Sequence, residues 1–217
     1  MSQAAPSHLA AIELLRREHQ VIESVLCAMQ WESDQIDQVA QTSRQFWIDS
    51  LEFLSEFAER SHYEKEESCL FPALIAAGIT DRGGPVGVLR AEHQASHAAL
   101  QRIAKAQREG DLAELTVATR TCVAMLRDHI SKEEKVLYVL AERVLSASDA
   151  IAVWAAMQRQ ARTRDAYEME HLLRLAAALC AHAGTPLVGV EQLSTSTDHE
   201  PDRTDGWSGS ETKETER

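Results

Sequence analysis

Sheet-forming residues are scarce in this chain. Aromatics make up 5% of its 217 residues, as 4 Trp, 3 Tyr and 4 Phe. No stretch alternates apolar and polar residues as a half-buried strand does, and alanine is frequent, which excludes a β architecture and favours helices. Positive charge is also short: 22 Lys and Arg stand against 34 Asp and Glu, a net charge of −12. Neutralising a phosphate backbone needs clustered Lys and Arg, so no nucleic-acid partner is expected. Long apolar runs are missing. None approaches the roughly 20 residues of a membrane span, and no early basic-plus-apolar stretch has the form of a secretion signal. Cys27, Cys69, Cys122 and Cys180 are scattered without a CxxC pair, which reads as reduced thiols in a cytoplasmic protein.

Five helical stretches are predicted. The first covers about 8–30, with Ser7 as N-cap and an apolar stripe of Leu9, Ile12, Leu15, Val21, Ile22 and Leu26. The second covers about 43–77, ending at Gly78, with a kink expected at Pro72. Pro85 opens a third, about 85–109, closed by Gly110. Asp111 caps a fourth reaching about 144, and Ser148 a fifth, about 149–182. From Ser194 the chain has almost no apolar content and is expected to be disordered. The expected division is a four-helix domain over 1–146, an added helix over 147–184 and a disordered acidic tail over 185–217.

Two segments of the chain repeat. Residues 62–72 read HYEKEESCLFP and residues 129–139 read HISKEEKVLYV; LLRREHQ at 14–20 matches VLRAEHQ at 88–94. The chain is therefore two αα-hairpins, 1–77 and 85–144, and the predicted fold is an all-α antiparallel four-helix bundle with approximate two-fold symmetry. His62 and Glu66, His93 and His97, and His129 and Glu133 are each four residues apart, hence on one helix face. His62 and Glu66 share a stripe with Leu51, Ala58, Cys69 and Ala73; His129 and Glu133 share one with Leu115, Cys122, Met125, Val136 and Leu140. His93 and His97 lie with Leu89, Ser96, Leu100 and Ile103, and His19 with Leu15, Ile22 and Leu26. Burying two carboxylates among apolar residues costs several kcal/mol each unless a cation is there.

Imidazole and carboxylate without thiolate point to iron or manganese, with zinc as the alternative. Two six-coordinate ions offer about twelve positions, of which five histidines, two bridging carboxylates and a shared oxygen fill about eleven. One position is left for an exogenous ligand.

These residues resemble the hemerythrin-like family, the HHE cation-binding domain, over about 10–144. The resemblance implies two non-haem iron ions, oxo- or hydroxo-bridged. His19 and His62 then bind one, His93, His97 and His129 the other, and Glu66 and Glu133 bridge them. Glu67 and Glu134 lie about 100° further round their helices and are the alternatives to those bridges. Glu23 occupies the place that His97 holds in the third helix and is read as solvated or as a supporting group, with contact to the ion held by His19 as the alternative. Tyr138 is assigned to packing, and His171 to the bundle exterior or a supporting role.

The implied function is binding of dioxygen, peroxide or nitric oxide at the open position, in oxidative or nitrosative stress. Two alternatives are a non-catalytic iron-binding, storage or sensing protein and a helical interaction protein with a structural metal. The apolar side of the fifth helix, Ile151, Trp154, Met157, Ala161, Leu172, Leu175 and Leu179, is expected to cover the open end of the bundle or to meet a second chain, as a monomer or a homodimer respectively.

Overall fold

Among the described residues of the computed structural model, 9–162, 166–190 and 193, the chain is helical and no strand occurs. Helix α1 spans Ala10–Val39, longer than expected. The extension follows from Met29, Glu32, Ser33 and Ile36, which carry the buried face another two turns before Ala40 ends the helix in a left-handed conformation, φ 51°. Buried Glu32 accepts the Ser43 N–H at 2.9 Å and folds the short loop back. The expected cap, Ser7, lies outside the described residues; α1 starts after Leu9 without a side-chain cap.

Helix α2 covers 44–76, and its winding changes along its length. The α-helical Arg44–Phe53 gives way to wide π-helical turns over Leu54–Tyr63 and Glu66–Leu70, followed by Phe71–Ala76. Pro72 makes no break: it sits in the first turn after the second wide stretch, where a missing N–H costs little. Helix α3 is Pro85–Glu109, closed by Gly110 at φ 69°. Helix α4 covers 112–144 and repeats the pattern of α2, with Leu112–Lys132, wide turns over Glu133–Leu137, then Tyr138–Val144. Asp111 accepts the Glu114 N–H and caps it, as expected.

The wide turns shift the buried face. Phe71 N–H donates to the Glu66 carbonyl and Tyr138 N–H to the Glu133 carbonyl, each five residues back. A turn of that width advances the inward stripe by about one residue. Leu70, Phe71 and Leu74 are therefore buried in place of Cys69 and Ala73, and Leu137, Tyr138 and Ala141 in place of Val136 and Leu140.

The fifth helix of the sequence reading is described over two stretches, α5 over Ala147–Arg162 and α6 over Ala166–Ala183. Ser146, not Ser148, caps α5: its hydroxyl accepts the Asp149 N–H while Asp149 accepts the Ser146 N–H. Ala150, Val153 and Met157 turn inward in α5, and Ile151 and Ala161 face solvent. Leu172, Ala176, Leu179 and Cys180 turn inward in α6. The pair packs against α1 and α2, so much of its apolar face is buried within the chain. Packing also runs past the expected limit at 184. The Val188 N–H donates to Ser24 Oγ at 3.1 Å, and Leu187, Val190 and Leu193 lie against the core. The rest of the tail falls outside the described residues.

Two apolar cores result. The larger holds Val25, Met29, Trp47, Phe53 and Leu126; the smaller holds Leu15, Leu70, Phe71, Leu137 and Tyr138. Between them lies a layer of buried imidazoles and carboxylates.

Candidate metal centre

Each helix of the bundle sends one histidine into that layer: His19 from α1, His62 from α2, His93 from α3 and His129 from α4, all buried. Glu66 and Glu133 join them with no exposed surface. Their donor atoms form two overlapping groups: His19, His62, Glu66 and Glu133, and Glu66, His93, His129 and Glu133. Glu133 belongs to both through different oxygens: Oε2 is 3.1 Å from His19 Nε2, and Oε1 is 3.1 Å from His129 Nε2 and 3.6 Å from His93 Nε2. Glu66 Oε2 lies 3.8 Å from His62 Nε2 and 3.4 Å from His93 Nε2.

Several of these buried atoms face one another at ion-pair distances without a hydrogen bond. Glu66 Oε2, His93 Nε2, His129 Nε2 and Glu133 Oε1 have no hydrogen-bond partner among the described residues, although all are buried. His19 Nε2 and His62 Nε2 approach to 3.0 Å. Unpaired buried polar atoms cost about 1–3 kcal/mol each, and more when charged. A cation at the common focus of each group offsets that cost, and imidazole with carboxylate is a donor set suited to iron. The residues fit a pair of metal ions.

The outer nitrogens explain the remaining repeated positions. His62 Nδ1 meets Glu18 Oε2 at 2.9 Å, and His129 Nδ1 meets Glu92 Oε2 at 3.0 Å. His19 Nδ1 meets Glu134 Oε1 at 3.1 Å, and His93 Nδ1 meets Glu67 Oε1 at 2.6 Å. Each Nδ1–H donates to a carboxylate, which fixes the ring and leaves Nε2 directed inward. Lys65 binds Glu18 Oε1 at 2.7 Å, and Lys132 binds Glu92. Glu66 and Glu133 therefore face the buried layer, while Glu67 and Glu134 stand on the outer nitrogens of the opposite hairpin's histidines. The sequence reading passed over Glu18, Glu92, Lys65 and Lys132 as participants. Their signal was present: both motif pairs repeat them where packing requires neither.

His97 is not brought into the centre. Its side chain is 63% exposed, with Nδ1 on Glu59 at 3.1 Å. The buried line of α3 runs His93, Ser96, Leu100, Ile103, and His97 lies at its edge. It lines a surface cleft of about 610 Å³ with Glu59, Tyr63, Glu67 and His93. The equivalent Glu23 likewise faces out, paired with Arg127 at 2.8 Å. His171 binds Glu52, away from the centre, and His182 binds Glu32. His8 and His199 lie outside the described residues.

One residue assigned to packing lies at the centre. The Tyr138 hydroxyl donates to Glu66 Oε1 at 2.8 Å and is 3.3 Å from His19 Nε2.

The ionisable groups of the centre are coupled to one another. Burial opposes an imidazolium, yet Glu133 and Glu134 raise His19 to about 9. Against the same penalty, Glu133 and Glu66 raise His93 to about 10. Burial also opposes ionisation of Glu133, but His129, His19 and His93 hold it well below the ordinary carboxylate range. The raised histidines stabilise the fold fully below the ordinary 6.5, and that contribution is lost as pH rises through about 9 and 10. The contribution of Glu133 is present above its ordinary 4.5 and lost as pH falls below it. The metal-free protein is therefore expected to melt highest between about pH 4.5 and 6.5 and progressively lower toward pH 10. Thermal melts across that range test this; a midpoint unchanged from pH 6 to 10 would contradict it.

A family model for the hemerythrin HHE cation binding domain matches residues 10–141. No curated protein and no solved structure matches the chain significantly. The match covers all four bundle helices and every member of the buried layer, and it leaves α5 and α6 outside.

Proposed function

The chain belongs to the hemerythrin HHE cation-binding domain family, and from that premise we propose that it is a non-haem di-iron protein that binds a small ligand at the iron pair. The observation that carries this reading is the set of four buried donor atoms without a hydrogen-bond partner, Glu66 Oε2, His93 Nε2, His129 Nε2 and Glu133 Oε1, turned toward one another. His19 and His62 would hold one ion, His93 and His129 the other, and Glu66 and Glu133 would span both. When bound, such a pair supplies open coordination positions and redox chemistry for dioxygen, peroxide or nitric oxide.

The chain's own residues set the conditions for that chemistry. Glu18, Glu92, Glu67 and Glu134 orient the four imidazoles. The two apolar cores exclude bulk water from above and below the layer. The cleft lined by His93, Tyr63 and Glu67 is the surface from which a small molecule would approach the centre. With four histidines, two bridging carboxylates and a shared solvent oxygen, about ten of about twelve positions are filled. One position per ion is then free by this count.

Elemental analysis after expression in iron-replete medium tests the reading, with about two iron ions per chain expected. One ion per chain, or zinc alone, would count against it. Oxygen evolution on adding peroxide would separate turnover from reversible binding.

A further inference from the structure

The two halves of the repeat differ at one position beside the centre. Phe71 follows His62, and Tyr138 follows His129, at the same distance along the chain. Both are fully buried by the wide turns. The Phe71 ring lies 5.9 Å from the His93 ring and brings no polar atom. The Tyr138 ring stacks on His19 at 5.5 Å and brings its hydroxyl into the layer.

The spacing of that hydroxyl is informative. Donors bound to one ion at about 2.0–2.2 Å and at right angles stand about 3 Å apart. Around His19 Nε2, His62 Nε2 is at 3.0 Å, Glu133 Oε2 at 3.1 Å and the Tyr138 oxygen at 3.3 Å. The same oxygen is 2.8 Å from Glu66 Oε1. The phenol oxygen is thus spaced from its neighbours as one more donor of the same polyhedron.

We propose that Tyr138 is a metal ligand at the His19–His62 position, its phenolic proton leaving to solvent on binding, whereas Phe71 leaves the His93–His129 position open. The proposal rests on the reading of the centre as an iron pair. It makes the two ions unequal: Tyr138 closes one, and the exogenous ligand goes to the other, on the side of the cleft lined by His93, Tyr63 and Glu67.

The test uses the full-length, iron-loaded protein. A phenolate bound to ferric iron gives a visible charge-transfer band and phenolate ring modes in the resonance Raman spectrum. Both are expected in the native protein, lost in Tyr138→Phe and kept in Tyr63→Phe, whose hydroxyl points to Ser96 at 3.4 Å. Titration with azide should give one bound anion per chain in the native protein and two in Tyr138→Phe. Phe71→Tyr provides a second arm should Tyr138→Phe not fold: it should strengthen the phenolate band and suppress azide binding. Two irons per chain without a phenolate band would overturn the proposal and leave Tyr138 as a hydrogen-bond donor to Glu66. A band that survives Tyr138→Phe would overturn it equally. Fewer than two irons in the native protein would instead remove the iron-pair reading, and the proposal with it.

Discussion

Glu133→Ala is expected to reduce bound iron from about two ions per chain to one or none. Both of its oxygens face the layer, one toward His19 and the other toward His129 and His93. Without it each ion loses a donor, and the positive charge of two cations in a buried layer loses half of its bridging anions. Glu66→Ala should act alike. Glu134→Ala and Glu67→Ala should act differently, because these side chains touch only the outer nitrogens of His19 and His93. Loss of such an orienting carboxylate typically weakens metal binding about 10–100-fold. Saturating iron should still load these two variants fully, whereas a competing chelator should strip them sooner than the native protein. If Glu134→Ala lost the pair and Glu133→Ala kept it, the assignment of bridge and support would have to be exchanged.

Glu18→Ala is expected to destabilise the metal-free protein by about 3–5 kcal/mol. Glu18 and Lys65 are almost fully buried, and Lys65 also donates to the Ser61 hydroxyl and carbonyl. Burial alone would raise Glu18, but Lys65 and His62 hold it down at about 2. Removing the carboxylate leaves an ammonium without its counter-ion between α1 and α2. The pseudo-symmetric pair, Glu92 with Lys132, supplies an internal control. The side chain of Lys132 is 40% exposed, so water screens it, and Glu92→Ala should cost about 1 kcal/mol or less through that pair. The double variant Glu18→Leu with Lys65→Met should recover most of the loss, since an apolar pair replaces a buried ionic one at little cost. Urea unfolding midpoints of the four proteins test this. Equal small effects of Glu18→Ala and Glu92→Ala would show that burial does not distinguish the two pairs.

The helical fold and the cation-binding family were legible because they rest on local pattern. Helix propensity, caps such as Asp111 and Gly110, and a motif repeated in two hairpins all act over a few residues. The histidines were legible for the same reason, since His19, His62, His93 and His129 hold matching places in the two repeats. The four-residue step from His93 to His97 matches those in α2 and α4, yet helix α3 buries Ser96 and leaves His97 exposed against Glu59 of α2. Which of the residues flanking one helix face is buried depends on how the neighbouring helix packs against it.

The sequence alone therefore determined the helical class, the paired hairpins, and six of the residues that meet in the buried layer. It determined them because propensity and periodicity are properties of neighbours along the chain. Only the tertiary structure decided that Glu18, Glu67, Glu92 and Glu134 stand on the outer nitrogens, because those contacts join residues from different helices. It likewise decided that the Tyr138 hydroxyl reaches Glu66 and that His97 does not reach the centre. A wide turn displaces a helix face by about one residue, and nothing in the periodicity marks where the winding changes. That displacement is set by how the four helices pack around the buried charges.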